Sequence, residues 1–408
     1  MPEHPTLSAS LQPPLVQGLA ALTHRAFAGE SLASLLAPAQ RPAASLPDAA
    51  ALLLDASWAH QLCFRREQGF ALQAQALEYC QVFRVRSDRA VPGLRVLALM
   101  APGDLMVNTP LDFITGQTEI TLDLLYVVPG KALPPVLPDH DVAFFAVSES
   151  DALTLDRLRP LFAAWPRPAL NDPAQITRLS RQGVARGLAG IAGLCSPAAI
   201  TATRRELARG LPGYPVLIRP AGSHAGNDLA KLDAPADLDA YLADSAAERF
   251  TTTDFIDYRS PDGRYRKYRV AYVEGVPFLC HMAVSERWMV HYLNAGMVES
   301  AERRAEEARA MAEFDAGFAA RHRGAFARMT EWMGLDYYQV DCAETPDGRL
   351  LVFEADVAAI IHAMDPPDLF PYKPLQMRRI FAAFERMVAR RASFTVLGAP
   401  AFYAAAAA

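Results

Sequence analysis

One segment near the carboxyl end restricts the fold of this chain more than any other. Residues 336–365 read DYYQVDCAETPDGRLLVFEADVAAIIHAMD, in which two short apolar stretches flank a Pro-Asp-Gly turn. Such a pattern predicts a β-hairpin. Asp341 ends the first strand, while Glu354 and Asp356 end the second, two residues apart and therefore on one face. The hairpin is thus predicted to bring three carboxylates together.

Three carboxylates that converge on one sheet face repel one another, which disfavours their ionised forms unless a cation lies between them. Mg²⁺ prefers such hard oxygen ligands and commonly enters a site together with the phosphates of a substrate. The spacing alone leaves two interpretations open. Asp341, Glu354 and Asp356 form a metal site, or they are acidic strand ends exposed to solvent.

Length, charge and cysteine content set the outer limits of the prediction. The chain has 408 residues, which predicts two or three domains, and its net charge of −5 gives no basic field for nucleic acid. No apolar run reaches membrane-spanning length, and the N-terminus has no signal-peptide pattern. The five cysteines are scattered without a CxxC pair, which is typical of packed thiols in a reducing compartment. We therefore expect a cytoplasmic protein without nucleic-acid or membrane partners.

Residues 1–91 have no strand pattern and are predicted to be a helical segment. From residue 47 onward, apolar side chains recur every three or four positions, which predicts two antiparallel amphipathic helices. The recurring residues are Leu54, Trp58 and Leu62, followed by Leu72, Ala76 and Cys80. The pair is either a tetratricopeptide-like unit or a helical cover for the next domain.

Residues 92–200 alternate between strand and helix, as in an open α/β domain. The runs at 94–100 and 142–147 are apolar throughout, which indicates strands buried on both faces. Ligands of such sheets bind beyond the carboxyl ends of the strands. Gly103, Asp104 and Asn108 follow the first strand and are either substrate-binding residues or ordinary turn residues.

Residues 201–395 carry most of the polar chemistry, and residues 396–408 form a tail. A strand at 216–219 leads into a loop of small residues that ends at Gly226, where backbone N–H groups could approach phosphate. Arg219 precedes this loop and Lys231 follows it, which strengthens a nucleotide-binding interpretation. Neither GxxxxGK[ST] nor GxGxxG occurs in the chain.

The strand that begins at Tyr265 is strongly basic. Lys267 and Arg269 share one of its faces and are predicted either to neutralise polyphosphate or to form a solvated cationic face. Farther along, His281 and His291 are either hydrogen-bonded structural residues or substrate contacts, and Asn294 is a turn residue or a phosphate contact. The charged stretch at 299–307 predicts a solvated helix face.

Taken in order, these motifs resemble the ATP-grasp superfamily, which includes glutathione synthetase, D-alanine–D-alanine ligase and ribosomal-protein glutamate ligases. The resemblance is greatest to a bacterial branch with tetratricopeptide-like N-terminal helices, and it spans about residues 92–395. The phrases that carry it are RPAGSHAG (219–226), DGRYRKYRV (262–270), WMVHYLNAGM (288–297) and DCAETPDGRLLVFEAD (341–356). It implies an ATP-grasp fold of the α/β (α+β) class, a pre-ATP-grasp α/β domain before it and the helical segment in front.

The resemblance also implies roles for individual residues. Family members hold two Mg²⁺ ions, which Mn²⁺ can replace, through an Asp, a Glu and an Asn; Asp341 and Glu354 match, and Asp356 stands where Asn is usual. Arg219 stands where a lysine usually contacts the α-phosphate. The other matches are Ser223, His224 and Gly226 in the loop over the β- and γ-phosphates, Phe255 and Asp257 at the adenine and ribose, and Arg269 and Asn294 beside the transferred phosphate.

The activity implied is an ATP-dependent, ADP-forming ligation of a carboxylate and an amine through an acyl-phosphate, with an amino acid or peptide as substrate. Recognition of that substrate would come from loops near residues 103–108, 148–150 and 281–294. Two alternatives stay open: an ATP-grasp kinase or carboxylate–thiol ligase, and a degenerate module that binds a partner. A homodimer, and a protein or peptide partner at the N-terminal helices, are compatible with the resemblance.

Overall fold

A computed structural model describes residues 5–36, 43–87, 93–223 and 226–397, the last four of these by their backbone only. His224 and the boundary predicted at residues 91 and 92 lie outside the described residues, as does most of the predicted tail.

In chain order the strands are β1 (Thr6–Ser8), β2 (Leu15–Val16), β3 (Val82–Val85), β4 (Leu94–Met100), β5 (Ile120–Tyr126), β6 (Val136–Pro138), β7 (Val142–Phe145), β8 (Ala169–Leu170), β9 (Leu194–Cys195), β10 (Ala199–Thr203), β11 (Val216–Pro220), β12 (Ala230–Leu232), β13 (Arg249–Asp254), β14 (Tyr265–Val273), β15 (Val276–Ser285), β16 (Tyr337–Glu344) and β17 (Leu350–Asp356).

The α-helices are α1 (Leu19–Phe27), α2 (Leu46–Leu62), α3 (Arg66–Tyr79), α4 (Asp112–Thr115), α5 (Ala152–Ala164), α6 (Pro173–Ile176), α7 (Arg181–Leu188), α8 (Arg204–Leu207), α9 (Pro235–Asp244), α10 (Ala301–Ala312), α11 (Phe318–Arg321), α12 (Arg323–Met333) and α13 (Lys373–Leu397).

A six-stranded sheet forms the first half of the molecule, in the order β2-β3-β5-β4-β7-β8. Its centre is parallel, with β4 between β5 and β7. Leu97 and Leu99 of β4 and Phe144 of β7 are fully buried, as the continuous apolar runs predicted. β2 and β3 lie within the first 91 residues, so the expectation of a segment without strands is wrong in this detail. β3 is four residues long and pairs with the distant β5, a partner that local periodicity cannot reveal.

Helices α2 and α3 pack against each other, as their apolar spacing predicted. Ser45 caps α2 by accepting a hydrogen bond from the Asp48 backbone N–H. A Cβ at Gly69 would lie 2.6 Å from Gln61 Cγ and 2.9 Å from the Ser57 carbonyl, so glycine permits the close approach of the helices. Both helices contribute to the hydrophobic core of the six-stranded sheet, and the tetratricopeptide likeness is not confirmed.

The second half contains two further sheets. One has four antiparallel strands in the order β10-β13-β11-β12, and the other has five in the order β15-β14-β16-β17-β9. The predicted hairpin is β16 and β17, which pair antiparallel with Asp341 opposite Glu354 and Gln339 opposite Asp356. Asp341 lies inside β16, which continues to Glu344, so the prediction that it ends the strand is wrong. A small parallel sheet, β1 with β6, completes the set in the described ranges.

Two contacts fix the six-stranded sheet against the five-stranded one. Asn171, just after β8, donates from Nδ2 to the Tyr337 carbonyl at 2.7 Å and accepts from the Tyr337 backbone N–H at 2.9 Å. Phe384 of α13 packs against Phe144 and Tyr337, with ring centroids 5.9 and 5.3 Å away. The carboxyl ends of β7 and β17 are thereby held in one region of the molecule.

One charged residue of the helical region differs from expectation. Glu307 of α10 is fully buried rather than solvated, and it accepts hydrogen bonds from Tyr292 Oη, Tyr372 Oη and the Met282 backbone N–H. The helical period correctly predicted a charged face but could not show that two tyrosines and a strand would cover one position of it.

All five cysteines are free thiols, and Cys195, Cys280 and Cys342 are buried. None of the helices in the described ranges has both the length and the apolar character needed to cross a bilayer.

Candidate functional site

A row of polar side chains crosses the five-stranded sheet at one level. Strand register places His281 of β15 beside Arg269 of β14, Arg269 beside Asp341 of β16, and Asp341 beside Glu354 of β17. Lys267 lies two residues before Arg269 and therefore on the same face. The alternation predicted for the basic strand thus brings its two cations to the predicted carboxylates.

Asp341 is the most completely paired of these carboxylates. Arg269 donates to it through two parallel hydrogen bonds, Nε to Oδ1 at 2.7 Å and Nη2 to Oδ2 at 3.0 Å. Lys267 Nζ lies 2.7 Å from Oδ2, and the Asp341 side chain is only 3% exposed. Burial alone would raise the pKa of Asp341, but Arg269 and Lys267 hold it well below its usual range.

Glu354 is paired with a cation that the sequence did not suggest. Arg181, the first residue of α7, donates from Nη1 to Glu354 Oε2 at 2.8 Å. The Glu354 side chain is 36% exposed and therefore reaches solvent. Its partial burial opposes ionisation, yet Arg181, Lys267 and Arg269 together outweigh that effect and lower the pKa of Glu354.

Asp356 and Glu149 form the acidic end of the site. Glu149 follows β7, and neither carboxylate forms an ion pair with any residue that the structure describes. Burial, reinforced by Glu354, raises the pKa of Asp356 to about 6 even though the Ala358 N–H donates to Asp356 Oδ1 at 2.6 Å. Burial and the nearby Asp356 raise the pKa of Glu149 to about 8, and Glu149 Oε2 is buried without a hydrogen-bond partner. At this end of the site, therefore, burial disfavours ionisation, and no ion pair among the described residues compensates for it.

The donor chemistry of this region suits Mg²⁺, but its present arrangement does not assemble a metal site. The described residues include no group of three or more His, Cys, Asp or Glu side chains placed to hold an ion. Both oxygens of Asp341 already contact cations, whereas Glu354 is part-exposed and Asp356 is not ion-paired. The carboxylate oxygens fit a hard divalent ion in kind, and such an ion would favour the ionised forms of Asp356 and Glu149, which burial disfavours.

The four-stranded sheet supplies the glycine loop. Arg219 of β11 is 8% exposed, donates from Nε to Ser223 Oγ at 2.8 Å, and has a buried Nη2 without a hydrogen-bond partner. Burial and the neighbouring Arg181 lower the pKa of Arg219 to about 10. An anion beside Nη2 would relieve both effects, because it would supply an acceptor and an opposite charge.

The glycine loop of the four-stranded sheet contacts His291, which lies in the segment that follows β15 of the five-stranded sheet. Gly226 has a φ of +73°, and a Cβ at this position would clash with His291 Nε2. Burial and the nearby Lys267 lower the pKa of His291. The predicted loop residue Gly226 and the predicted substrate residue His291 are therefore neighbours.

The residues predicted around the base and ribose lie beside the same loop. Lys231 Nζ lies 4.8 Å from the centroid of the Phe255 ring and forms an ion pair with Asp233, and the Phe255 ring packs edge-on against Trp288 at 5.7 Å. Asp257 forms an ion pair with Arg259, which lowers the pKa of Asp257. Phe255 and Lys231 therefore contact each other where one wall of the predicted nucleotide site would lie. Asp257 is instead paired with Arg259, two positions along the chain.

The segment around Asn294 is held from behind by a buried network. The ring of His281 stacks on that of Tyr292 at 4.6 Å, and burial together with Arg269 lowers the pKa of His281 well below its usual value. Tyr292 donates to Glu307, whose carboxylate lies 3.6 Å from Lys373 Nζ. Asn294 Oδ1 accepts from the His291 backbone N–H at 3.2 Å, a turn contact on an exposed side chain.

The loop after β4 is held by polar contacts within the loop and with α3. Asn108 bonds to the Ala101 backbone N–H and carbonyl at 2.7 and 2.8 Å, and the Gly103 N–H donates to Gln73. Asp104 forms an ion pair with Arg66 at 2.7 Å. The Asn108 contacts are turn chemistry, whereas Gly103 and Asp104 are held by Gln73 and Arg66 of α3. The role of the three residues toward substrate stays a prediction.

Arg181 and Glu149 are the residues that sequence reasoning missed as individual contributors. Glu149 lies inside a loop predicted to recognise substrate, but nothing local distinguishes it from its neighbours. Arg181 had one detectable signal, because a cation at the first position of a helix opposes the helix dipole and therefore invites a functional explanation.

Comparisons with known proteins find matches among solved structures only. No protein-family model and no curated protein matches this chain. Among solved structures, the VanG D-Ala:D-Ser ligase from Enterococcus faecalis is 13% identical, with a TM-score of 0.44 over 74% of this chain and 99% of that one. The RimK domain ATP-grasp protein from Sphaerobacter thermophilus is 18% identical, with a TM-score of 0.40 over 74% and 100%.

A third similar structure is the D-alanine–D-alanine ligase from Bacillus anthracis complexed with ATP, which is 12% identical, with a TM-score of 0.42 over 74% of this chain and 98% of that one. The helices and sheets of the described residues confirm the predicted α/β class.

Proposed function

We propose that this protein is an ATP-dependent, ADP-forming carboxylate–amine ligase that works through an acyl-phosphate, with an amino acid or peptide as substrate. The observation that supports this most directly is the charge pattern of the site. Arg219, Lys267 and Arg269, together with Arg181, surround Asp341 and Glu354 at the junction of two sheets. Such a cationic half fits a polyphosphate, and the acidic half at Asp356 and Glu149 fits a cation.

A carboxylate must be activated before an amine can displace one of its oxygens. In the proposed reaction, a substrate carboxylate oxygen attacks the γ-phosphorus of ATP, which gives an acyl-phosphate and releases ADP. The amine then attacks the acyl carbon, inorganic phosphate leaves, and the amine loses a proton. Negative charge accumulates first on the transferred phosphoryl group and later on the tetrahedral oxygen.

The residues of this chain would bind, orient and balance that charge. Arg219 would take an α-phosphate oxygen through its free Nη2, and Lys267 and Arg269 would lie beside the transferred group. Because Arg269 is held in place by two bonds to Asp341, it is positioned before substrate arrives. The small-residue loop between Pro220 and Gly226 would close over the phosphates and exclude water.

Glu354 and Asp356, with Asp341 behind them, are the residues that would hold Mg²⁺. When bound, the ion would supply electrostatic stabilisation of the phosphates. A cytoplasmic location, where ATP and Mg²⁺ are present, is our inference from the sequence; it fits the free cysteines.

The proposal is tested by incubating the protein with Mg²⁺, ATP and panels of amino acids and short peptides, and measuring ADP release. Hydroxylamine then replaces the amine, because it traps an activated carboxylate as a hydroxamate. ADP release with hydroxamate formation supports the proposal. ADP release without hydroxamate indicates a kinase. If hydroxamate forms but the natural reaction proceeds with thiols and not with amines, the protein is a carboxylate–thiol ligase.

A degenerate module that binds a partner is the second candidate, and two observations favour it. Asp341 is saturated by cations, and Arg219 stands where a lysine is usual among the proteins that the motifs resemble. Calorimetry of ATP with and without Mg²⁺ distinguishes the two. A protein that binds neither form of the nucleotide is the partner-binding module, and one whose ATP affinity rises with Mg²⁺ is not.

A further inference from the structure

Arg181 is held between an acidic and a basic neighbour. It belongs to α7, whose N-terminus is capped by Ser180, and its side chain is 29% exposed. Its guanidinium bonds to Glu354 at 2.8 Å and lies near enough to Arg219 to lower the pKa of that arginine. The Arg219 guanidinium itself has an unused donor, Nη2. One carboxylate therefore serves as the anion between two arginines.

This placement has a cost that a polyanion would remove. Arg181 and Arg219 repel each other, and the positive end of the α7 dipole adds to that repulsion. Arg181 also occupies Oε2 of Glu354, one of the two oxygens through which this carboxylate could bind a divalent ion. A nucleotide that brings phosphate oxygens to Arg181 would leave Glu354 free for the metal at the same time.

We propose that Arg181 is a positioning counter-ion that exchanges partners, bound to Glu354 when the site is empty and to the polyphosphate of ATP when the site is filled. The exchange makes metal binding at Glu354 dependent on nucleotide, so that the metal ion binds weakly when no nucleotide is bound. This inference rests on the proposed function, because it requires ATP to bind beside Arg181 and Glu354.

The inference predicts opposite effects of one substitution on two ligands. Arg181→Gln removes the cation that competes with metal, so Mn²⁺ alone should bind about threefold more tightly. The same change removes a charge-assisted phosphate contact, so ATP in EDTA should bind about tenfold more weakly. A merely structural role would weaken both ligands, because distortion of the site cannot improve either.

The experiment measures Mn²⁺ alone by electron paramagnetic resonance of the free ion, and ATP in EDTA by calorimetry, with the full chain. Arg186→Gln is the matched control on the same helix, because Arg186 is exposed and, within the described ranges, its side chain bonds only to the Gln182 carbonyl of its own turn. Arg181→Lys keeps the charge and should restore most of the ATP affinity. Glu354→Gln is the mirror variant, which frees Arg181 and should tighten ATP in EDTA while weakening Mn²⁺.

The mirror variant keeps the test decisive if Arg181→Gln fails to fold. Opposite shifts in either variant support the exchange. Equal losses of both ligands, or unchanged ATP affinity in Arg181→Gln, overturn it while leaving the proposed function intact. A wild-type protein that binds no ATP at all overturns the proposed function, and the exchange with it.

Discussion

The two ends of the candidate site differ in how their carboxylates are balanced. At one end, Asp341 is buried and contacts both Arg269 and Lys267. At the other, Asp356 is close enough to Glu149 to raise the pKa of that carboxyl, and neither forms an ion pair with any described residue. The β16–β17 hairpin contributes to both ends, so the difference does not arise from separate structural elements.

This contrast separates two uses of a carboxylate. Asp341 is a structural counter-ion that fixes the cations of β14, and its own oxygens are fully engaged. Asp356 and Glu149 have raised pKa values beside the part-exposed Glu354, and a cation there would stabilise their ionised forms. The acidic end is therefore the better place to look for metal, although all three hairpin carboxylates are equal candidates when judged from their spacing alone.

The largest expected effect is on stability, at the paired end. Asp341→Asn leaves Arg269 and Lys267 in a buried position without their anion, so the free energy of unfolding should fall by about 3–5 kcal/mol. Urea denaturation followed by circular dichroism measures this loss. Asp347→Asn is the control, because it makes the same change in the turn of the same hairpin, where Asp347 is exposed. Equal stability of the two variants would show that Asp341 is not a structural counter-ion.

The next effect is on turnover, at Glu354. Glu354→Gln keeps the shape of the side chain but removes the charge needed for metal, so ADP production should fall about 100-fold or more. Its unfolding midpoint should change little, because the side chain is 36% exposed. Glu302→Gln, at a solvent-exposed glutamate of α10, is the control. Full ADP production by Glu354→Gln would contradict the metal assignment.

The third effect is a pH dependence at the unpaired end. The pKa of Glu149 is raised to about 8 in the folded protein, so between its unfolded value near 4.5 and pH 8 the folded state binds more protons than the unfolded state. Stability should therefore be greatest below that window and should decline as the pH rises through it, by at most about 1.4 kcal/mol per pH unit from this group.

Thermal denaturation of the metal-free protein between pH 5 and 8 measures this decline. Glu149→Gln should flatten it, whereas Glu248→Gln, at an exposed position, should not. Added Mg²⁺ should stabilise the protein more at pH 8 than at pH 6, because the carboxylates are then ionised. If the decline in stability persists unchanged in Glu149→Gln, the ionisation of Glu149 is not its cause.

The smallest effect concerns the second cation of Asp341. Lys267→Gln should lower the free energy of unfolding by about 1–2 kcal/mol, because Arg269 still satisfies the carboxylate. Arg264→Gln, just before the same strand and paired with an exposed glutamate, should leave the unfolding midpoint unchanged. A loss as large as that of Asp341→Asn would mean that Lys267, rather than Arg269, is the principal partner.

Much of the local structure followed from short-range patterns. The run at 94–100 forms β4 with the predicted bounds, and the Pro-Asp-Gly turn forms the predicted hairpin. Lys267 and Arg269 share a face because side chains alternate along a strand. These features depend on residues within a few positions of one another, so the sequence displays them directly.

The missed features depend on distant pairing. Arg181 lies 173 residues before Glu354, and its side chain reaches the hairpin only because α7 packs beside β17. Likewise, β3 is too short to be recognised before its partner β5 is known. The buried position of Glu307 depends on Tyr292 and Tyr372, which approach from other segments.

The sequence by itself determined which residues carry charge and on which face of their own strand or helix they lie, because these properties follow from the repeat of the backbone. Only the tertiary structure decided which cation meets which carboxylate. The register of β14, β16 and β17 set Arg269 against Asp341, and the packing of α7 set Arg181 against Glu354. Electrostatic energy depends on distance in space, so the division into a paired and an unpaired end exists only in the folded chain.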